Sequence, residues 1–382
     1  MSAEGPSASV GRTSLLERIA FLMSIKEEGK AVEFDHIVEK VTRDVTFLGG
    51  KEPSEREFKD ALEELVRLGL LKADAGGYYR LPTIDRYVGS LLASGSGLLN
   101  RSYYLVYAAE KYYPEVADTM LPYLTNRPLS AVKVFSGKKD PIKEVEAIFV
   151  RYARYKPRPV HLAVNGRGDL MRLVHDHCVD FIPYVHGFDG TPDILLVDLD
   201  VGDEIMKRPE GFPYAKHVAE ATYEVLRDAG CHPLIKFSGS RGFQVLCRIA
   251  RGAKPMDFAA LRDVVRAIRV RLEKRLVEDG VERTFSPLRL EEPYTTSSVD
   301  DKASRSAKVL VDWSSMKPQG DYRAPFSIHY KTGLVSLPIK ADAISSFERE
   351  QADPFRIVAE KPDFSFARVL PESEPDALSS LL

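Results

Sequence analysis

Three blocks of apolar residues at helical spacing open the chain. LLERIAFLMSIKEEGKAV (15–32) carries the pattern over its first half, Phe34 to about Thr42 repeats it, and Ser54 to Leu68 gives a third block. Ser54 begins the third block as an N-cap, Glu57 completes a capping box, and Gly69 closes the helix. LLKADAGGYYRLP then reads as a short hairpin around Ala75-Gly76-Gly77. Three helices and a two-stranded wing predict a winged-helix domain over residues 12–88. Residues 1–11 are small and polar, which predicts disorder. GSLLASGSGLL predicts a linker over 89–100.

Beyond the linker the pattern changes to strands interleaved with helices. Residues 103–122 read as a tyrosine-rich helix, and 129–136, 145–152 and 159–164 as strands. DILLVDLD and PLIKFS are strands on either side of the amphipathic helix HVAEATYEVLRDAG (217–230). Residues 255–280 form a long amphipathic helix with Arg262, Arg266, Arg269, Lys274 and Arg275 on its polar face. The last strand ends near Ile339. Residues 341–382, closing in PESEPDALSSLL, predict an acidic, partly flexible tail. The class this predicts is α/β.

Composition narrows the picture. Of 382 residues, 44% are apolar and 29% charged, as in ordinary globular proteins. No run approaches the roughly 18 apolar residues of a membrane span, and the N-terminus lacks the pattern of a secretory signal. Three cysteines, Cys178, Cys231 and Cys247, exclude a disulfide scaffold and point to a reducing, cytoplasmic setting. The net charge of −2 is unevenly spread: residues 101–175 hold 13 Lys and Arg against 7 Asp and Glu, while 341–382 hold 4 against 9. A basic middle between acidic ends suits a polyanion, although chance clustering on a solvated face gives the same count. The third helix of the winged-helix block carries Glu55, Glu57, Asp60, Glu63 and Glu64. That acid surplus would repel phosphate, so protein contact or a structural role is favoured there over DNA reading.

Three segments carry chemistry. In ILLVDLDVGDE, Ile194 to Val197 form a buried strand that delivers Asp198 and Asp200. Residues two apart on a strand share a face, so both carboxylates project together. Like charges this close are costly without a cation, and oxygen ligands suit Mg2+ or Mn2+. Such a pair also occurs where a strand merely ends in solvent. In KFSGSRGFQVLCRI, the turn Ser238-Gly239-Ser240-Arg241-Gly242 offers backbone N–H groups, hydroxyls and a guanidinium to an anion, or is simply a hairpin turn. In KVLVDWSSM a further apolar strand delivers Asp312, and YRAPFSIHYKTGLVSLP follows with His329 and Lys331 as triphosphate contacts. Alone, His329 reads rather as a packed histidine and Lys331 as a solvated turn lysine. Together the segments supply the parts of metal-assisted nucleotidyl transfer.

In the order DxD, SGxRG, then a strand-borne Asp, the chain resembles the archaeo-eukaryotic primase superfamily. Within it, the chain is most similar to the polymerase domain of the end-joining DNA ligase D. YYPEVADTMLPYLTNRPLSAVKVFSG, DILLVDLD, IKFSGSRGFQVLCRI and VLVDWSSMKPQGDYRAPFSIHYKTGLVSLPI follow in that family's order. The resemblance implies a catalytic domain over 101–340, a primase-type fold with an RRM-like mixed sheet. It implies Asp198, Asp200 and Asp312 as metal-binding catalytic acids for two Mg2+ or Mn2+ ions. Ser238, Gly239, Ser240, Arg241, Gly242, Gln244, His329 and Lys331 are implied nucleotide contacts, with Arg241, His329 and Lys331 offsetting the triphosphate charge. Lys133 and Phe149 fall near positions that meet nucleic acid. SIHYKTGL resembles the primase small subunit instead, which places the chain between the two branches.

The implied activity is template-directed addition of nucleotides to a 3′-hydroxyl, as a primase or a gap-filling, end-joining polymerase. DNA and NTP or dNTP are the implied partners, with a ligase, a Ku-like protein or a primase large subunit possible beside them. The alternative is a catalytically weakened nucleic-acid-binding homologue, because Gln244 stands where the motif carries His. The histidine that precedes DxD in the ligase D branch is also missing; only His186 lies near. No zinc is expected: HDHC (175–178) offers at most His175 and Cys178 on one helix face, too few for a tetrahedral site.

Overall fold

The computed structural model describes residues 15–24, 26, 28–47, 52–93, 101–135, 148–152, 161–251, 256–297, 300 and 302–382. Residues 1–11, with the expectation made for them, and residues 136–147 and 153–160 of the basic 101–175 segment lie outside this set. The chain divides into two compact units, Met1–Glu110 with Val134–Val150, and Lys111–Lys133 with Arg151–Leu382.

The first unit contains α1 (Leu15–Ser24), α2 (Phe34–Phe47), α3 (Glu55–Arg67), the hairpin β1 (Leu71–Asp74) and β2 (Gly77–Arg80), and α4 (Thr83–Ala93). The capping box forms: the Glu57 N–H donates to Ser54 Oγ, and the Ser54 N–H donates to the Glu57 carboxylate at 2.7 Å. Ile19 and Met23 of α1, Ile37 and Val41 of α2 and Phe58, Leu62 and Leu65 of α3 are fully buried, the helical stripes seen in the sequence. The first helix stops at Ser24, as the apolar spacing over the first half of 15–32 predicts, while α2 runs on past Thr42 to Phe47. Of the linker expected over 89–100, residues 89–93 instead end α4, in which buried Ile84 and Val88 stand one turn apart, and 94–100 lie outside the described residues.

Helix α5 (Arg101–Met120) leads into the second unit. There β3 (Leu129–Phe135) pairs antiparallel with β5 (Cys178–Pro183), which follows α6 (Arg167–His175). A strand, β4 (Ile148–Tyr152), lies between them in sequence. Of the strand expected at 159–164, the described residues 161–164 make one bridge, Leu162 to Leu129.

A larger sheet carries β6 (Ile194–Val201), β7 (Leu234–Phe237), β8 (Phe243–Ile249), β9 (Thr295–Thr296), β10 (Val309–Asp312) and β11 (Pro338–Ile339), in the order β11-β7-β8-β6-β10-β9. Its central pairs are antiparallel, while β9 runs parallel to β10, so the sheet is mixed. Helices α8 (Gly211–Asp228) and α9 (Phe258–Glu278) pack against the sheet. Phe212 of α8 stacks on Phe243 at 5.6 Å and meets Phe237 edge-on at 6.1 Å. Phe243 is the register partner of Leu199, so α8 covers the face on which Leu199 lies. The residues between them, Asp198, Asp200 and Gln244, occupy the other face.

Residues 321–339 join the two sheets of this unit. The Tyr322 and Ala324 N–H groups donate to Pro183 and Phe181 carbonyls of β5, and β11 then pairs with β7. The acidic C-terminal segment is packed, contrary to the flexible tail expected. β12 (Glu372–Ser373) pairs with the far end of β8, and Leu378 and Leu381, in and after α13 (Pro375–Ser379), are buried. These leucines, which follow the last acid Asp376, supply the apolar area that overrides the charge.

Candidate functional site

The antiparallel register sets Asp312 directly opposite Asp198, with Asp200 two places along β6. All three carboxylates therefore lie on one face. The row continues on the other side of β6: Gln244 pairs with Asp198, and Lys236 pairs with Gln244. One line across four strands reads Lys236, Gln244, Asp198, Asp312.

Burial raises the Asp198 carboxyl to about 7, and the charges of Asp200 and Asp312 push the same way. A hydrogen bond from the Gln244 amide and the Lys236 charge oppose the rise. Burial also raises Asp200, with Arg241 opposing and Asp312 reinforcing. Asp312 accepts from the Ser314 N–H at 2.8 Å and from the Ser314 hydroxyl at 2.7 Å. Among the described residues no three His, Cys, Asp or Glu side chains are arranged to hold a metal ion. The donor set still fits a hard divalent cation. Its ligands are oxygens on adjacent strand positions, and a cation would relieve the repulsion that raises Asp198. Asp312 would join by exchanging Ser314 for the ion.

The serine–glycine turn lies at the head of β8. Ser238 Oγ accepts from the Ser240 and Gly242 N–H groups at 3.3 Å each, which fixes the turn. Gly239 has φ +84°, and a Cβ there would stand 2.9 Å from His329 Cβ. A Cβ on Gly242 would stand 1.9 Å from the Leu199 carbonyl oxygen. Both glycines are required, one by conformation and the other by the approach to β6. Arg241 is exposed and paired with Asp203, the first residue of α7 (Asp203–Met206).

His329 is thus beside the turn, 8% exposed. Its Nδ1 accepts from the Lys331 N–H at 3.0 Å, which puts the ring proton on Nε2. Burial pulls the ring down to about 3, and the Arg323 charge adds to the effect. That favours the neutral imidazole, which can donate a hydrogen bond from Nε2. Lys331 is exposed, with Nζ 5.8 Å from the Tyr330 ring centre. Gln244 stands opposite Asp198 in the register and lowers its proton affinity.

Two elements of the site escaped the sequence reading. Lys236 is wholly buried within the apolar strand LIKF. Fully buried Asp180 accepts from Arg323 Nε and Nη2, the Ser327 hydroxyl and the Tyr330 N–H, while Arg323 Nη1 reaches the Ser238 carbonyl at 3.2 Å. This pair ties the turn to β5. The only hint in the sequence was an aspartate inside the apolar run CVDFIP.

Lys133 is ion-paired to Asp176 at 2.5 Å, and Phe149 lies on β4. The polar face of α9 is not an open basic track. Arg262 donates to the Met316 carbonyl, Arg269 to Thr295, and Arg275 pairs with Glu224, while Arg266 and Lys274 pair with Asp263 and Glu278. His186 is buried between the Gly187 and Pro318 carbonyls. His175 ends α6 while Cys178 begins β5, so they share no helix face.

A mixed α/β fold with strand-borne carboxylates beside a serine–glycine turn is the architecture of a primase-type polymerase domain. The family model of the LigD primase-polymerase domain matches residues 109–362, and the chain belongs to that family. The family is one of nucleotidyltransferases of the end-joining polymerase type. No curated protein matches the chain. Among solved structures, the polymerase domain of Mycobacterium tuberculosis ligase D in complex with DNA is similar at 19% identity and a TM-score of 0.49, over 65% of this chain and 85% of that one. No helix among the described residues is long and apolar enough to cross a membrane.

Proposed function

We propose that this chain is a divalent-metal-dependent, template-directed nucleotidyltransferase that fills gaps or extends DNA ends. The observation that carries the reading is the pairing of Asp312 with Asp198, with Asp200 on the same face. Asp198, Asp200 and Asp312 would hold Mg2+ or Mn2+. When bound, the metal supplies charge neutralisation at the triphosphate and a lower pKa at the attacking hydroxyl. The Ser238–Gly242 turn, Arg241 and Lys331 would hold the phosphates, and His329 would donate from Nε2. Domain boundaries at 12–88 and 101–340, with the second extended through the packed C-terminal segment, follow from this reading. The N-terminal unit serves as a winged helix whose acidic α3 meets protein, and the enzyme works in the cytoplasm, where a ligase, a Ku-like protein or a primase large subunit would present the DNA.

Nucleotide incorporation on unprimed, primed and gapped DNA, with NTP or dNTP and Mg2+ or Mn2+, tests the reading. Wild type is expected to extend gapped or primed ends, and Asp198→Ala to lose that activity. Equal incorporation by both would remove the catalytic reading. The hold of Ser314 on Asp312 favours the second reading, a nucleic-acid-binding homologue with weakened catalysis, which would bind the same DNA without extending it.

A further inference from the structure

The two halves of the phosphate site, the Ser238–Gly242 turn and the segment from His329 to Lys331, meet at a residue to which the nucleotide-transfer reading gives no part. Asp180 of β5 is 0% exposed. Its carboxylate accepts from Arg323 Nε at 3.0 Å and Nη2 at 2.9 Å, from the Ser327 hydroxyl at 3.1 Å and from the Tyr330 N–H at 3.3 Å. Tyr330 stands between His329 and Lys331, so the carboxylate fixes the backbone that carries both. On the other side, Arg323 Nη1 donates to the Ser238 carbonyl at 3.2 Å. A trans peptide unit is planar, with its C=O and N–H on opposite edges. Pinning the Ser238 carbonyl therefore also aims the Gly239 N–H. From the same segment the Thr332 hydroxyl donates to the next carbonyl, that of Gly239. A buried carboxylate and guanidinium are costly unless matched, and an apolar pair of similar volume often fills such a space without loss of stability. An apolar pair could hold neither the Ser238 carbonyl nor the Tyr330 N–H.

We propose that Asp180 is a positioning residue for the incoming triphosphate: through Arg323 it sets the Ser238–Gly242 turn, and through the Tyr330 N–H it sets His329 and Lys331, so that both halves grip one triphosphate. The inference rests on the reading of that turn as a phosphate site. It separates the hold on nucleotide from the hold on metal, because the hydrogen bonds of Asp180 and Arg323 run to the turn and to the segment that follows Arg323, not to Asp198, Asp200 or Asp312.

The test is titration calorimetry of a deoxynucleoside triphosphate with Mg2+ onto the full-length protein bound to gapped DNA whose 3′ end is a dideoxynucleotide, so that nucleotide can bind but not react. Mn2+ affinity without nucleotide and the melting temperature are read in parallel. The variants are Asp180→Asn, Arg323→Lys and the double substitution Asp180→Asn with Arg323→Met. A lysine lacks the planar fork that serves Asp180 and Ser238 at once. The double substitution removes both charges and leaves an acceptor for Ser327 and Tyr330. Each variant is expected to weaken nucleotide binding by about tenfold, the scale of one charge-assisted hydrogen bond, with Mn2+ affinity unchanged. A lower melting temperature with unchanged nucleotide affinity would make the pair merely structural and overturn the proposal. Equal losses of nucleotide and Mn2+ affinity would overturn it too, since they place the fault in the sheet as a whole. If Asp180→Asn does not fold, Arg323→Lys and the neutral double decide: wild-type nucleotide affinity in them overturns the proposal, and the expected loss at the wild-type melting temperature supports it. Wild type that takes up no nucleotide would overturn the proposal, whereas wild type that binds nucleotide but never extends an ordinary gapped 3′ end would sink only the nucleotidyl-transfer reading.

Discussion

On one face of the large sheet, Phe237 and Phe243 meet Phe212 and Phe347, with ring centres 5.5–6.2 Å apart. One residue along the same strands, on the opposite face, stand Lys236, Gln244 and Asp198. The two faces share every backbone hydrogen bond and differ only in alternate side chains. The aromatic face gains from burial and asks nothing of solvent or ions. The polar face gathers like charges that raise one another's proton affinity. The first face stabilises the second, whose unfavourable charge is held ready for a cation.

Four substitutions would break or sharpen that contrast. Asp198→Ala is expected to lower nucleotide incorporation by about 10³-fold or more, the scale of the several kcal/mol that a bound metal contributes. Incorporation assays would read this, with the melting temperature not falling. Phe243→Ala should do the reverse, costing about 3–5 kcal/mol of stability in denaturant unfolding, as a fully buried aromatic does. Activity per folded molecule should then be changed far less than by Asp198→Ala.

Asp198→Asn should separate the faces through pH. The Asp198 carboxyl lies at about 7 in the fold and at about 3.9 when unfolded. Its contribution to stability is complete below the unfolded value and is lost as pH rises through the folded one. Without metal, the variant should therefore melt above wild type at pH 8 and level with it at pH 4. An equal gain at both would place the cause outside this carboxyl. The smallest effect is expected far from either face. Ser54→Ala should cost about 1 kcal/mol of N-terminal-unit stability by removing the α3 cap, with no change in incorporation by the folded enzyme.

Local signals in the sequence were strong where the structure is local. The cap at Ser54 and the strand that delivers Asp198 and Asp200 need only neighbours a few residues away. The placement of Asp312 opposite Asp198 was an expectation of convergence that spacing alone could not settle, since over 100 positions intervene. What stayed hidden depends on partners distant in the chain. Lys236 looks like an interruption of LIKF until Ser336 is brought beside it. Arg275 looks free until Glu224 and Asp228 arrive from α8. The tail misled for a similar reason: its acids dominate composition, but Leu378 and Leu381 decide the packing.

The central claim is that Asp312 works with Asp198 and Asp200 on one ion-binding face. Its most direct test is extension of a gapped DNA end as Mn2+ is raised, comparing wild type with Asp312→Ala. The account expects wild type to saturate with Mn2+ and Asp312→Ala to stay near background at every concentration. Extension by Asp312→Ala at the wild-type rate and Mn2+ dependence would contradict it.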